Sequence, residues 1–139
     1  MRTYGFVSKD GHTLMVFCRQ HSISFSGGVD GVFEFDEPTF DRLMWCLVIE
    51  SRKCWDNFVP QEADSISSDY DSYYDKKFDS EGELGFSKNI IKTYRPYNSM
   101  LTIYKFNKRR MASFIYDLEQ RFPQYSYSKK QNAPDLKEW

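Results

Sequence analysis

Twice in this chain, at a constant offset of 71 positions, an aromatic strand pattern stops at an Asx residue and turns directly into an amphipathic helix pattern. The first copy is 31–50, GVFEFDEPTFDRLMWCLVIE, and the second is 102–121, TIYKFNKRRMASFIYDLEQR. The offset sets Phe33 on Tyr104, Phe35 on Phe106, Asp36 on Asn107, Phe40 on Met111, Leu43 on Phe114 and Leu47 on Leu118. Asp and Asn side chains accept hydrogen bonds from the free N–H groups of a helix's first turn, so Asp36 and Asn107 read as N-caps. The apolar positions after each cap recur at spacings of three and four and share one helical face. Before each cap, strand alternation sends Phe33 with Phe35, and Tyr104 with Phe106, to one side, and Glu34 and Lys105 to the other.

The rest of the chain is read around these junctions. Alternation and turn residues predict strands over 3–8, 13–19, 22–26 and 32–35, then a helix over 37–51 with Pro38 in its first turn, where a missing N–H is tolerated. The second half is expected to repeat the order: a solvated strand near 71–78, short strands over 84–86, 89–94 and 100–106, and a helix over 108–122 ended by Pro123. The fold expected is therefore α+β: two ββββα units, 3–55 and 69–122, forming antiparallel sheets, each covered by one helix. At 139 residues the chain is sized for one domain. That domain is expected over 1–123, with 124–139 as a polar, mobile tail.

Net charge is only −1, but it is segregated. Residues 56–83 hold nine acidic and two basic side chains, whereas 84–114 hold seven basic and no acidic ones. The basic stretch contains Lys88, Lys92, Arg95, Lys105, Lys108, Arg109 and Arg110, interleaved with Tyr94 and Tyr97. Cations neutralise phosphates and release counterions, while aromatic faces stack on unpaired bases, so these nine residues form a candidate single-stranded nucleic-acid surface. Lys108, Arg109 and Arg110 also occupy a helix's first turn, where the dipole disfavours cations and favours a bound anion. The competing reading is a solvated basic face that balances the acidic segment.

Catalysis finds little footing. The chain has no phosphate-binding glycine loop, nucleophile elbow or zinc-protease helix. His12 and His21 flank a strand and read as solvated loop residues. Cys18, Cys46 and Cys54 lack paired metal-ligand spacing and read as buried free thiols of a reducing compartment. A non-enzyme with no metal or cofactor is expected. With no segment approaching 18 consecutive apolar residues and no apolar leader, the expected location is cytoplasmic and no membrane partner is foreseen.

The stretches FEFDEPTFDRLMWCL and YKFNKRRMASFIYDL resemble the strand–cap–helix junction of the PC4, PUR and whirly group of single-stranded nucleic-acid-binding proteins. The resemblance is one of topology over about 3–122, and it implies a sheet surface that binds single-stranded DNA or RNA, within one chain or a homodimer. The acidic 69–83 segment departs from that pattern, standing where a binding strand would be. It supports a rival class: a small inhibitor or immunity protein that covers a nuclease or toxin through Asp69, Asp71, Tyr73, Tyr74, Asp75 and Asp79.

Overall fold

A computed structural model describes residues 1–27, 31–62, 83–94 and 102–139. The expected strand near 71–78, the acidic candidates Asp69, Asp71, Tyr73, Tyr74, Asp75 and Asp79, and the turn residues Arg95 and Tyr97 lie outside the described residues.

Three strands come first: β1 (Arg2–Val7), β2 (Thr13–Arg19) and β3 (Ser22–Ser26). The β1–β2 turn is closed by Ser8, whose N–H donates to His12 O at 2.8 Å, and by Gly11, whose φ of +88° suits a residue without a Cβ. β2 and β3 form an antiparallel hairpin in which Arg19 pairs with Ser22, leaving a two-residue turn at Gln20 and His21. β4 (Gly31–Glu34) then leads into α1 (Glu37–Cys54). After the undescribed segment come β5 (Glu83–Ser87), β6 (Ile90–Tyr94), β7 (Thr102–Phe106) and α2 (Lys108–Arg121).

Both helix starts take the same form. Asp36 Oδ1 accepts from the Thr39 N–H at 2.8 Å, and Asn107 Oδ1 accepts from the Arg110 N–H at 2.7 Å. The first helical bonds then run from Phe40 N–H to Asp36 O and from Met111 N–H to Asn107 O, each 3.0 Å. The strands before the caps alternate as expected: Phe33, Phe35, Tyr104 and Phe106 are buried, and Glu34 and Lys105 are exposed. Leu43, Leu47, Phe114 and Leu118 are fully buried on the inner helical faces. Loss of the Asn107 cap is expected to be felt even though the residue is exposed. Asn107→Ala should lower stability by about 0.5–2 kcal/mol in urea melts, and an unchanged midpoint would mean the cap adds nothing.

The fold is α+β with two antiparallel sheets, but the sheets do not follow the two halves of the chain. One is four-stranded, in the order β1-β2-β3-β7; the other is three-stranded, in the order β4-β6-β5. The expectation that each ββββα unit forms its own sheet is thereby corrected. The strand entering α1 pairs with β6 of the second half, and the strand entering α2 pairs with β3 of the first. Side-chain periodicity decides which face of a strand is buried, not which edge it joins, so such an exchange leaves no local trace. α1 packs on β1, β2 and β3. α2 joins the two sheets through Phe114, whose ring lies 5.5 Å from Phe106 of β7 and 4.9 Å from Phe86 of β5.

The segment after α2 is packed rather than free. It forms two 3-10 turns, Pro123–Tyr125 and Tyr127–Asn132. Tyr125 is buried, with its ring edge-on to Trp45 of α1, and Arg52 stacks over Tyr127 at 4.5 Å. The chain then returns to β1, where the Trp139 N–H donates to Thr3 O at 2.7 Å. A polar composition conceals these few aromatic anchors.

Burial, reinforced by a hydrogen bond to Glu50, holds the Tyr4 phenol well above its ordinary pKa. Burial, reinforced by nearby Asp41, does the same for Tyr125. With folded-state values raised, the stability these phenols contribute is complete below the unfolded value of about 10 and is lost as pH rises toward the folded one. Urea melts above about pH 10 should therefore show stability falling by up to about 1.4 kcal/mol per pH unit per tyrosine. Tyr125→Phe should make that decline shallower; an equally steep decline in the variant would contradict the assignment.

Candidate nucleic-acid interface

The inner faces of both sheets are spent on the core, so a ligand-facing surface must come from an outer face. On the four-stranded sheet, cross-strand register aligns Thr3, Phe17, Ser24 and Lys105 in one row. The next row holds Gly5, Met15 and Ser26. Phe17 and Met15 are partly exposed, and Lys105 is exposed on the edge strand β7. The Arg19 guanidinium lies over the Phe17 ring at 5.3 Å and donates to Ser24 Oγ at 3.0 Å. None of these four strands contains a carboxylate side chain. The four strands thus turn outward the partly exposed Phe17 ring and Thr3 and Ser26 side chains with the exposed cations Arg19 and Lys105, while Ser24 is buried beneath Arg19. Such a face suits a flexible polyanion.

The outer face of the three-stranded sheet is mixed. Val32, Lys92 and Gly85 form one row, with Lys92 exposed. The neighbouring row carries Glu34, whose carboxylate lies 3.6 Å from Lys9 Nζ. Lys88 is exposed in the β5–β6 turn beside Asn89, which has a φ of +65°. Tyr94 ends β6.

The basic start of α2 has a different surrounding from the one its sequence suggests. Lys108 Nζ donates to the main-chain carbonyl of Asp56 at 2.7 Å, and Arg109 Nη1 donates to Gln61 Oε1 at 2.8 Å. The Gln61 N–H in turn donates to Ala112 O at 3.1 Å, so the loop after α1 lies along the first turn of α2. Arg110 is buried. A cavity of about 410 Å³ opens between loop and helix, lined by Asn57, Val59, Gln61, Lys108, Arg109 and Ala112. Asn107 already caps this helix start, and Lys108 and Arg109 serve in part to hold the loop. Lys92, Lys105 and this cluster, contiguous in composition, thus occupy two sheet faces and a helix start.

Sequence reasoning missed two features. One is the Phe17–Arg19–Ser24 arrangement, although the alternation of TLMVFCR already turns Phe17 and Arg19 to the same side. The other is Glu50, fully buried on the apolar stripe that runs through positions 43, 47 and 54. Its carboxylate accepts from Arg2 Nε at 2.6 Å and from the Tyr4 hydroxyl at 2.9 Å, with Lys53 Nζ at 3.4 Å. The signal was a carboxylate at a core spacing, which requires partners wherever it is buried.

Cys18, Cys46 and Cys54 are free and buried. Burial pushes the Cys46 thiol up, and a hydrogen bond with Cys18 adds to it; burial also raises Cys54, which donates to Arg19 O at 2.9 Å. Raised thiols of this kind are poor nucleophiles. Among the described residues, no three His, Cys, Asp or Glu side chains are grouped to hold a metal ion, and no helix is long and apolar enough to cross a membrane. Compared with known protein families, curated proteins and solved structures, the chain matches none of them.

Proposed function

We propose that this chain is a non-catalytic, cytoplasmic single-stranded nucleic-acid-binding protein that uses the outer face of its four-stranded sheet. The observation that carries the reading is the acid-free row Thr3, Phe17, Ser24 and Lys105, with Arg19 stacked on Phe17. Flexible strands bind where cations track the backbone and planar groups meet the bases. The partly exposed side chains of Thr3 and Ser26 add hydroxyls of the kind that bond phosphate and sugar without regard to sequence, while Ser24, buried, serves to hold Arg19. The pair of strand–cap–helix junctions supports the reading through its resemblance to the PC4, PUR and whirly group, as two related units in one chain. Lys88, Lys92, Tyr94, Arg95 and Tyr97 precede Lys105 in sequence and belong to the same proposal as a second contact region.

The test is fluorescence anisotropy of labelled oligo(dT), oligo(U) and a duplex of equal length, titrated with the protein at low salt. Single strands should bind more tightly than duplex, and Arg19→Ala should weaken both single-strand complexes. If none of the oligonucleotides binds, the reading falls, and a protein partner for the acidic Tyr/Asp-rich segment 56–83 takes its place.

A further inference from the structure

We propose that Trp139 is the principal base-stacking residue of this chain, its indole resting on Gly5 as an open platform for one unpaired base. The inference deepens the nucleic-acid reading and rests on it.

Gly5 lies on β1 between Tyr4 and Phe6, both buried, so alternation turns its missing side chain to the outer face. That space is filled from the far end of the chain. A Cβ added at Gly5 would overlap Cε3, Cδ2 and Cζ3 of Trp139, so the six-membered part of the indole lies directly on the bare backbone. The Trp139 N–H bond to Thr3 O fixes the approach along β1. Yet Trp139 remains 68% exposed, whereas Trp45 and Trp55 are 2% and 5% exposed. The indole is therefore seated on one side and open to solvent elsewhere.

Its neighbours suit a nucleotide. Gly5 stands opposite Met15, and Phe17 is two residues along on β2, a diagonal of about 7–8 Å that aromatic side chains can bridge. The Phe17 ring is capped by Arg19, which offers a guanidinium plane and a charge; Trp139 offers a bare ring. Every base has a π-face, so stacking of this kind tolerates any sequence, and guanidinium planes stack on bases as well. Arg19 and Lys105 stand on the same face for the flanking phosphates, while Arg42, Lys137 and Asp135 line the pocket at Gly5 and Glu138 precedes the indole in sequence. The occupant that fits a bare indole on a sheet whose own strands carry cations and no carboxylate is single-stranded nucleic acid.

The test follows tryptophan emission and the anisotropy of labelled oligo(dT) in the same titration of the full chain. With Trp45 and Trp55 buried, a change in emission reports Trp139. Binding should quench it, and Trp139→Ala should weaken affinity about 5- to 100-fold with an unchanged salt slope, as expected for one stacked base. Trp139→Phe should retain most of the affinity. Gly5→Ala, which displaces the ring while leaving it in the chain, should reproduce the Trp139→Ala loss. Binding seen by anisotropy with unaltered emission and undiminished affinity in Trp139→Ala would overturn the inference while leaving the nucleic-acid reading intact. Tighter binding by Trp139→Ala would also overturn it, making the indole a cover over the site. If the wild type shows no anisotropy change, both fall together.

Discussion

Phe114→Ala is expected to lower stability by about 3–5 kcal/mol, the range for deleting a fully buried ring whose surroundings cannot close the gap. The ring touches Phe106 on one sheet and Phe86 on the other, and is completely excluded from solvent. Because each sheet takes its last strand from the opposite half of the chain, this contact lies where both halves depend on one another. Urea melts should show the midpoint falling sharply, with β5 and β7 losing amide protection together. A loss below about 1 kcal/mol, within reach of ordinary substitutions, would mean that α2 is not what joins the sheets.

Arg2→Ala is expected to cost about 3 kcal/mol, at the low end for breaking a buried ion pair. The residue left behind is the problem, since Glu50 is fully buried and, among the described residues, would keep Tyr4 and the more distant Lys53. Arg2 itself is 38% exposed, which limits the loss. Replacing the network outright, as Arg2→Met with Tyr4→Phe and Glu50→Leu, should be less harmful than Arg2→Ala alone, because no polar group is then left unpaired. Chemical denaturation of both variants decides this. A triple variant less stable than Arg2→Ala would show that the cluster stabilises by more than satisfying its own members.

What could be read from the sequence was local. The caps Asp36 and Asn107, the alternation around Glu34 and Lys105, and the stripe through Leu43 and Leu47 each depend on neighbours within a turn or a pleat. The pairing of β4 with β6 and of β7 with β3 depends on contacts far apart in the chain, and nothing in GVFE or TIYKF encodes the partner. The candidate site was legible in part for the same reason. Lys105 was identified by alternation and stands exposed beside Ser24, whereas Lys108 and Arg109 were identified by density of charge and are met by Asp56 and Gln61. Charge density says how many cations a stretch has, but not how many are left for a ligand. Trp139 was hidden in a polar tail, because the seat of its indole is a glycine at the other end of the chain.

Salt dependence of oligo(dT) affinity in the wild type, Lys105→Ala and Arg109→Ala decides whether the outer sheet face carries the phosphates. Each phosphate contact to a single strand contributes a slope of about −0.7 in log affinity against log salt. Binding is expected at about 50 mM salt with a slope of several contacts. Lys105→Ala should flatten the slope by about one contact, or 0.7, while Arg109→Ala, already held by Gln61, should leave it unchanged. Absence of binding at low salt would rule out a nucleic-acid surface on this sheet. So would a slope that responds to Arg109 and ignores Lys105, since the phosphates would then lie on α2 and not on the outer sheet face.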